Sequence, residues 1–232
     1  MKTRWLHNLF DLFFPNLCLA CGENPLHGQE IFCTTCHRSL PVTNMHQMSE
    51  NRFTDRFFGR IYLQAGAAIY HFHEGSSVQQ LIHQLKYYGK ARIGIKLGEL
   101  YGKQLHQSKY FQEIDVIVPV PLHPVKERKR GYNQSDQFAL GLSNAMQKPW
   151  LKHGLKRTKY GKSQTRKNQL ERYENVMTSF AVEQSEKLVG KHILLVDDVL
   201  TTGATMEACA SQLLTIPDTK ISMATIAIAG AT

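Results

Sequence analysis

The chain has 232 residues, which suits one domain or one domain with a small appendage, and it can bury a core without disulfide support. Hydrophobic residues at 42% and charged residues at 20% exclude a disordered chain, a collagen and a membrane-embedded protein. Lys and Arg number 28 against 19 Asp and Glu, and the resulting +9 points to a polyanionic partner or to phosphate ligands. Residues 121–180 hold 13 Lys/Arg and 4 Asp/Glu, so this one segment carries the whole excess and marks a local site.

The stretch Met1 to Leu17 is amphipathic, but Asp11 and Pro15 interrupt it and no small-residue cleavage site follows. No stretch reaches the ~18 apolar residues of a membrane span. The expected location is the cytoplasm.

Residues 1–50 read as a separate N-terminal module. Cys18-Leu-Ala-Cys21 and Cys33-Thr-Thr-Cys36 are two CxxC pairs with eleven residues between them. Each pair forms a tight knuckle offering two thiolates, and two knuckles close a tetrahedral site with no open position, the pattern of structural zinc. His27 and His37 are nearby substitutes. An odd total of five cysteines, with Cys209 alone on the apolar spacing of a helix, fits metal ligation in a reducing compartment better than a disulfide framework.

Residues 51–232 read as an α/β domain. In chain order, the pattern predicts a strand at Ala65–Phe72, a helix at Ser76–Tyr88, a helix at Ile93–Gln107 and a buried strand at Ile114–Pro121. After the strand comes Pro124-Val-Lys-Glu-Arg-Lys-Arg130, read as a basic strand-end loop. Its Lys126, Arg128, Lys129 and Arg130 can serve a pyrophosphate or a nucleic-acid backbone. Asn133, a fair N-cap, opens a helix at Asn133–Met146, and Tyr132, Asn133 and Gln134 are candidates to face a ligand. Lys152–Tyr173 reads as a long basic loop that can close over a charged site or lie along phosphates. A buried strand at Lys191–Asp197, a helix at Thr202–Leu214 and a last strand at Ile221–Ala229 complete the chain. Continuous apolar strands alternating with helices imply a mostly parallel sheet covered on both faces.

The most informative stretch is Val196-Asp197-Asp198-Val-Leu-Thr201-Thr202-Gly203-Ala204-Thr205. A strand ends in two carboxylates, and a hydroxyl-rich turn leads into a helix. Backbone N–H groups at a helix start favour a phosphate, the threonines add donors, and Gly203 permits close approach. Asp197 and Asp198 suit the vicinal hydroxyls of a ribose and can help hold Mg²⁺ through water. The implied ligand is a sugar 5-phosphate with free 2- and 3-hydroxyls.

This segment resembles the phosphoribosyl pyrophosphate (PRPP) motif of type I phosphoribosyltransferases. The order of a four-Cys finger, Leu85-Lys86-Tyr87, Val118-Pro-Val-Pro-Leu-His123, Arg130-Gly-Tyr-Asn-Gln134 and the Asp-Asp loop resembles the ComF family of competence proteins, from about residue 10 to the end. The resemblance implies a type I phosphoribosyltransferase-like sheet preceded by a four-cysteine zinc module. It implies that Asp197 and Asp198 hold the ribose, with Thr201, Thr202, Gly203, Ala204 and Thr205 around the 5-phosphate. It assigns Val120, Pro121, Leu122 and His123, with the basic residues after them, to the pyrophosphate loop, where such folds often carry a cis peptide. It also implies a flexible loop over Arg157–Val176 in which Gln164, Arg172 and Asn175 match while Gly161 replaces a Thr. Lys86, at the end of an amphipathic helix, is a further candidate.

Two functions fit. One is DNA uptake through handling of single-stranded DNA, with PRPP as ligand, partners in the uptake machinery and a peripheral place at the inner membrane through them. The other is a Mg-dependent phosphoribosyltransferase that releases pyrophosphate to an unidentified acceptor, although no segment reads as a nucleobase-specificity element.

Overall fold

A computed structural model describes residues 17–26, 30–158 and 177–230. Four parallel strands form the main sheet: β1 (Ala65–Phe72), β2 (Val116–Pro119), β5 (His192–Leu200) and β6 (Lys220–Ala229), in the order β1-β6-β5-β2. Register is set by pairs such as Ala67 with Ala224, Leu195 with Met223, and Val118 with Leu195. Residues along β1, β2, β5 and β6 are buried consecutively rather than alternately, which requires cover on both faces. The sheet edges are also covered. Pro41 and Thr43 hydrogen-bond to His71 and Ile69 of β1, and Ile117 of β2 exchanges backbone hydrogen bonds with Pro149 and Leu151.

The described helices are α1 (Thr34–Ser39), α2 (Arg52–Asp55), α3 (Ser77–Tyr87), α4 (Arg92–Gln107), α5 (Pro124–Arg130), α6 (Gln134–Met146) and α7 (Ala204–Leu213). Ser76 caps α3 by accepting from Gln79 N–H, and Asn133 caps α6 by accepting from Ser135 N–H. Helices α2 and α3 pack on β1, α6 on β2 and β5, and α7 on β5.

Three expectations change. The β5 ladder does not stop at the carboxylates: Val199 and Leu200 still pair with Ala227 and Ile228 of β6, so Asp197 and Asp198 sit within the strand. The basic strand-end loop is the helix α5, because Pro124 is pre-organised for the first turn, Lys, Glu and Arg favour helix, and Gly131 at φ 89° terminates it. The long loop contains a strand, β3 (Leu155–Arg157), paired antiparallel with β4 (Phe180–Val182); the rest of it, including Gln164, Arg172 and Asn175, lies outside the described residues. The described residues contain no cis peptide. Cys209 is fully buried in α7, as its spacing predicts.

Helices α4 and α6 approach so closely that only glycine fits at the crossing. A Cβ on Gly98 would collide with the Phe138 carbonyl and come within 2.7 Å of Leu142 N, one on Gly102 would meet Ala145 Cβ at 2.7 Å, and one on Gly141 would strike the Ile95 carbonyl. Since α6 carries the residues behind the carboxylates, this contact sets their position. Gly98→Val is expected to cost about 3 kcal/mol through overpacking and to lower Tm by roughly 6–12 °C in thermal unfolding, whereas Lys103→Ala, on the exposed side of α4, should shift Tm by less than about 2 °C.

Candidate functional site

The side chains of successive strand residues alternate, and Asp197 and Asp198 accordingly find partners on different helices. Asp197 Oδ1 accepts the hydroxyl of Ser135 at 2.8 Å and the Asp198 backbone N–H at 2.8 Å. Asp198 Oδ1 pairs with Lys86 Nζ at 3.0 Å, from the last turn of α3. Burial, then the neighbouring Asp198 charge, raises Asp197 to about 7; the Ser135 and backbone hydrogen bonds and Lys86 oppose that rise.

Beyond β5, Thr201 and Thr202 are exposed and Gly203 takes a positive φ of 87° before α7 begins. Gly203 rests on the Phe57 ring, where a Cβ would come within 3.1 Å. Thr202 Oγ1 accepts from Ala204 N–H at 3.4 Å, and the first turn of α7, with Ala204 and Thr205 half-buried, opens at the strand ends. The helix is held from behind: Glu207, almost fully buried, pairs with Arg60 at 2.5 Å.

The adjacent strand β2 leads into Val120–His123. Val120 N–H donates to the Val196 carbonyl at 2.9 Å, which fixes this loop beside β5. His123 caps α5 through Nδ1, and its pKa is lowered by burial, then by Arg157 and Lys126. Lys126, Arg128 and Lys129 lie on α5, and Arg130 donates to Gln134 Oε1.

The cluster after α5 is structural in its hydrogen bonding. The Tyr132 hydroxyl donates to the Leu85 carbonyl, joining this segment to the end of α3. Asn133 is buried, and its Nδ2 donates to the Val120 carbonyl at 2.9 Å and to Asp136 Oδ1 at 3.1 Å. The geometry thus brings together Asp197, Asp198, Lys86, the Thr201–Thr205 turn and the β2 loop, with Tyr132, Asn133 and Gln134 as their supports.

Sequence reasoning missed four residues. Ser135 and the buried Asp136 lie one and two residues past the quoted Arg-Gly-Tyr-Asn-Gln motif, where the polar run Gln134-Ser135-Asp136 at a helix start was the available signal. Asp136 is raised to about 6 by burial and sits 3.5 Å from Lys152. Arg157 Nε is buried with no hydrogen-bond partner among the described residues, its guanidinium lies 5.2 Å from the Phe180 ring, and its charge reaches His123. Arg60 gave no local signal, because its partner is 147 residues away.

The four cysteines of the two CxxC pairs converge. Their Sγ atoms all lie within 4.8 Å of one another, a set able to hold a metal ion. The Cys33 N–H donates to Cys18 Sγ at 3.2 Å, Cys36 N–H to Cys33 Sγ at 3.4 Å, and Asn24 Nδ2 to Cys33 Sγ at 3.5 Å. The backbone amides of Asn24 and Glu23 lower Cys21 to about 6, burial raises Cys36, and Gly22 at φ 74° forms the first knuckle. Gln84 of α3 donates to the Leu19 carbonyl at 2.8 Å, linking the cysteine segment to the helix that carries Lys86. A cleft of 540 Å³ between this segment and α4, lined by Phe32, His37, Lys96 and Glu99, includes none of the carboxylate-site residues.

Comparison with known proteins agrees with this architecture. Residues 86–231 match the phosphoribosyl transferase domain family. Competence protein F of Haemophilus influenzae is 28% identical over 206 residues, covering 84% of this chain and 89% of that protein. DNA utilization protein YhgH of Escherichia coli strain K12 is 34% identical over 220 residues, covering 88% and 92%. Among solved structures, the glutamine PRPP amidotransferase of Bacillus subtilis with ADP and GMP aligns at 20% identity and a TM-score of 0.43, over 62% of this chain and 30% of that one, so the chain spans under a third of that protein. The chain belongs to the phosphoribosyl transferase domain family and, within it, to the ComF family. Among the described residues no helix is long and apolar enough to cross a membrane.

The raised Asp197 predicts a pH signature. Its folded pKa lies above its unfolded value, so ionising it costs stability as pH rises from about 4 to about 7. Asp197→Asn should therefore be indistinguishable from wild type near pH 4 and more stable by about 1–2 kcal/mol at pH 8, after discounting for partial exposure. Urea unfolding at the two pH values measures this, and an unchanged difference across the range would refute the burial of this charge.

Proposed function

We propose that this chain is a ComF-type protein whose strand-end pocket binds PRPP, and that it acts in DNA uptake by handling single-stranded DNA in the cytoplasm. The carrying observation is the convergence of Asp197 and Asp198 with the open first turn of α7 and the β2 loop. Asp197 and Asp198 receive the ribose hydroxyls, Thr201, Thr202, Gly203, Ala204 and Thr205 wrap the 5-phosphate, and Val120–His123 face the pyrophosphate, with Lys126, Arg128 and Arg130 supplying charge to it or to a nucleic-acid backbone. Mg²⁺, bound with PRPP, would be held through water by the two aspartates and would offset pyrophosphate charge. Lys86 would yield Asp198 to the sugar hydroxyls, and Asp197 would meet the cation in its ionised form. The names of the two relatives support the uptake role, and the +9 of residues 121–180 supports a nucleic-acid partner. Proteins of the uptake machinery, some of them at the inner membrane, are the natural company of such a protein.

The ion pair between Lys86 and Asp198 at 3.0 Å favours a second reading, a phosphoribosyltransferase. A fixed carboxylate beside the ribose stabilises the oxocarbenium-like charge that develops as pyrophosphate leaves. That reading requires pyrophosphate release dependent on a small acceptor.

The cysteine cluster is proposed to hold one structural zinc. Tetrahedral Zn–S bonds of about 2.3 Å set the sulfurs about 3.8 Å apart, within reach of the observed cluster, and the N–H donors to sulfur stabilise thiolates. Its role is to shape residues 17–40 against α3. We assign residues 1–50 to this module and 51–232 to the phosphoribosyltransferase-like domain.

Calorimetric titration of Mg-PRPP into the zinc-replete protein should show binding, and the Asp197→Asn, Asp198→Asn double variant should lose it by at least about 100-fold. Absence of binding by the folded wild type would remove PRPP from the proposal. Native mass spectrometry should find one zinc per chain, and Cys33→Ser should release it and lower Tm; a metal-free wild type of unchanged stability would sink the zinc assignment.

A further inference from the structure

Two aromatic side chains directly after Lys86, the partner of Asp198, stand largely outside the core. Tyr87 and Tyr88, at the end of α3, are each 66% exposed, so two adjacent ring faces are open to a ligand. They nonetheless lie against cationic and aromatic neighbours. His83, one turn earlier, lies 4.7 Å from the Tyr87 ring and 5.6 Å from the Tyr88 ring, centroid to centroid. The Arg130 guanidinium sits 5.5 Å from the Tyr87 centroid. Gly89, at φ 67° with open space where a Cβ would stand, turns the chain away and leaves the rings clear. Exposed Lys90 follows.

We propose that Tyr87 and Tyr88, with His83 and Arg130, form a base-stacking platform for single-stranded nucleic acid, whose phosphates lie along α5. Every base has a π-face, so exposed rings flanked by cations bind strands without reading sequence. Arg130 belongs to both parts of the surface, ending α5 while covering Tyr87. At about 1.5 Å of rise per residue, Lys126 lies about 6 Å along α5 from it, close to one nucleotide step. The neighbouring Lys86 is engaged with Asp198, so the strand would pass over the last turn of α3 at the entrance to the pocket. The more exposed Phe58 and Tyr62 are poorer candidates: Glu50 and Asp55 share their surface, and the nearby Arg60 is committed to Glu207. This platform rests on the single-stranded DNA reading and adds to it the groups that hold the bases.

The test uses the full chain with zinc bound, a fluorescein-labelled oligothymidylate probe read by anisotropy across a salt series, and photo-crosslinking to the same oligomer carrying 5-bromodeoxyuridine. The Tyr87→Ala, Tyr88→Ala variant should bind about 10-fold more weakly with the wild-type salt slope, since the phosphate contacts remain. The Tyr87→Phe, Tyr88→Phe variant should bind within about twofold of wild type, and crosslinks should map to residues 83–88. Wild-type binding with a steep salt slope, lost in Lys126→Glu, Arg128→Glu but unchanged in the alanine pair, would overturn the platform and leave the DNA reading standing. No binding by wild type would overturn the DNA reading itself. Both tyrosines are exposed, so the alanine pair should keep its Tm; if it unfolds, the phenylalanine pair and the crosslink map still decide.

Discussion

Two acidic side chains on consecutive residues of one strand repel each other, and the site is organised around holding them there. Ser135 and a backbone amide take one carboxylate, Lys86 takes the other, and the partners come from α6 and α3. The raised Asp197 shows that the compensation is incomplete in the free protein. A site that holds anionic groups at some cost to the fold is poised for a ligand that brings its own hydroxyl donors or cation.

The supports of those partners reach far. Ser135 is placed by α6, which is pressed on α4 through Gly98, Gly102 and Gly141. Lys86 is placed by α3, which is tied to the cysteine segment through Gln84 and to the α5–α6 junction through Tyr132. The turn after β5 depends on Phe57 beneath Gly203 and on the Arg60–Glu207 pair behind α7. The cysteine cluster and the strand ends are thereby connected through one helix, which also ends in the exposed tyrosines.

Much of this is legible in the linear sequence wherever the physics is local. Uninterrupted apolar runs mark the strands, and the bounds Ala65–Phe72 agree between sequence and structure, because a strand buried on both faces needs every residue apolar or small. The cap Asn133 is legible as a polar residue before apolar periodicity, whereas Ser76, read as the first helical residue, is the cap of α3. The CxxC spacing identifies four side chains that converge. The run from Lys126 to Arg130 reads as a loop when its charge is weighed above Pro124 and Gly131, yet those two residues bound a short helix.

Local pattern determined the four strands of the main sheet, the longer helices and the two cysteine pairs, since each follows from spacing, turn chemistry or apolar periodicity along a short stretch of chain. Tertiary structure alone decided which carboxylate meets which partner. Ser135 and Asp197 are 62 residues apart in the chain, and Arg60 and Glu207 are 147 apart. Nothing in either segment names the other. Their meeting depends on the strand order β1-β6-β5-β2 and on the glycine-mediated approach of α4 to α6, which are properties of the packed core.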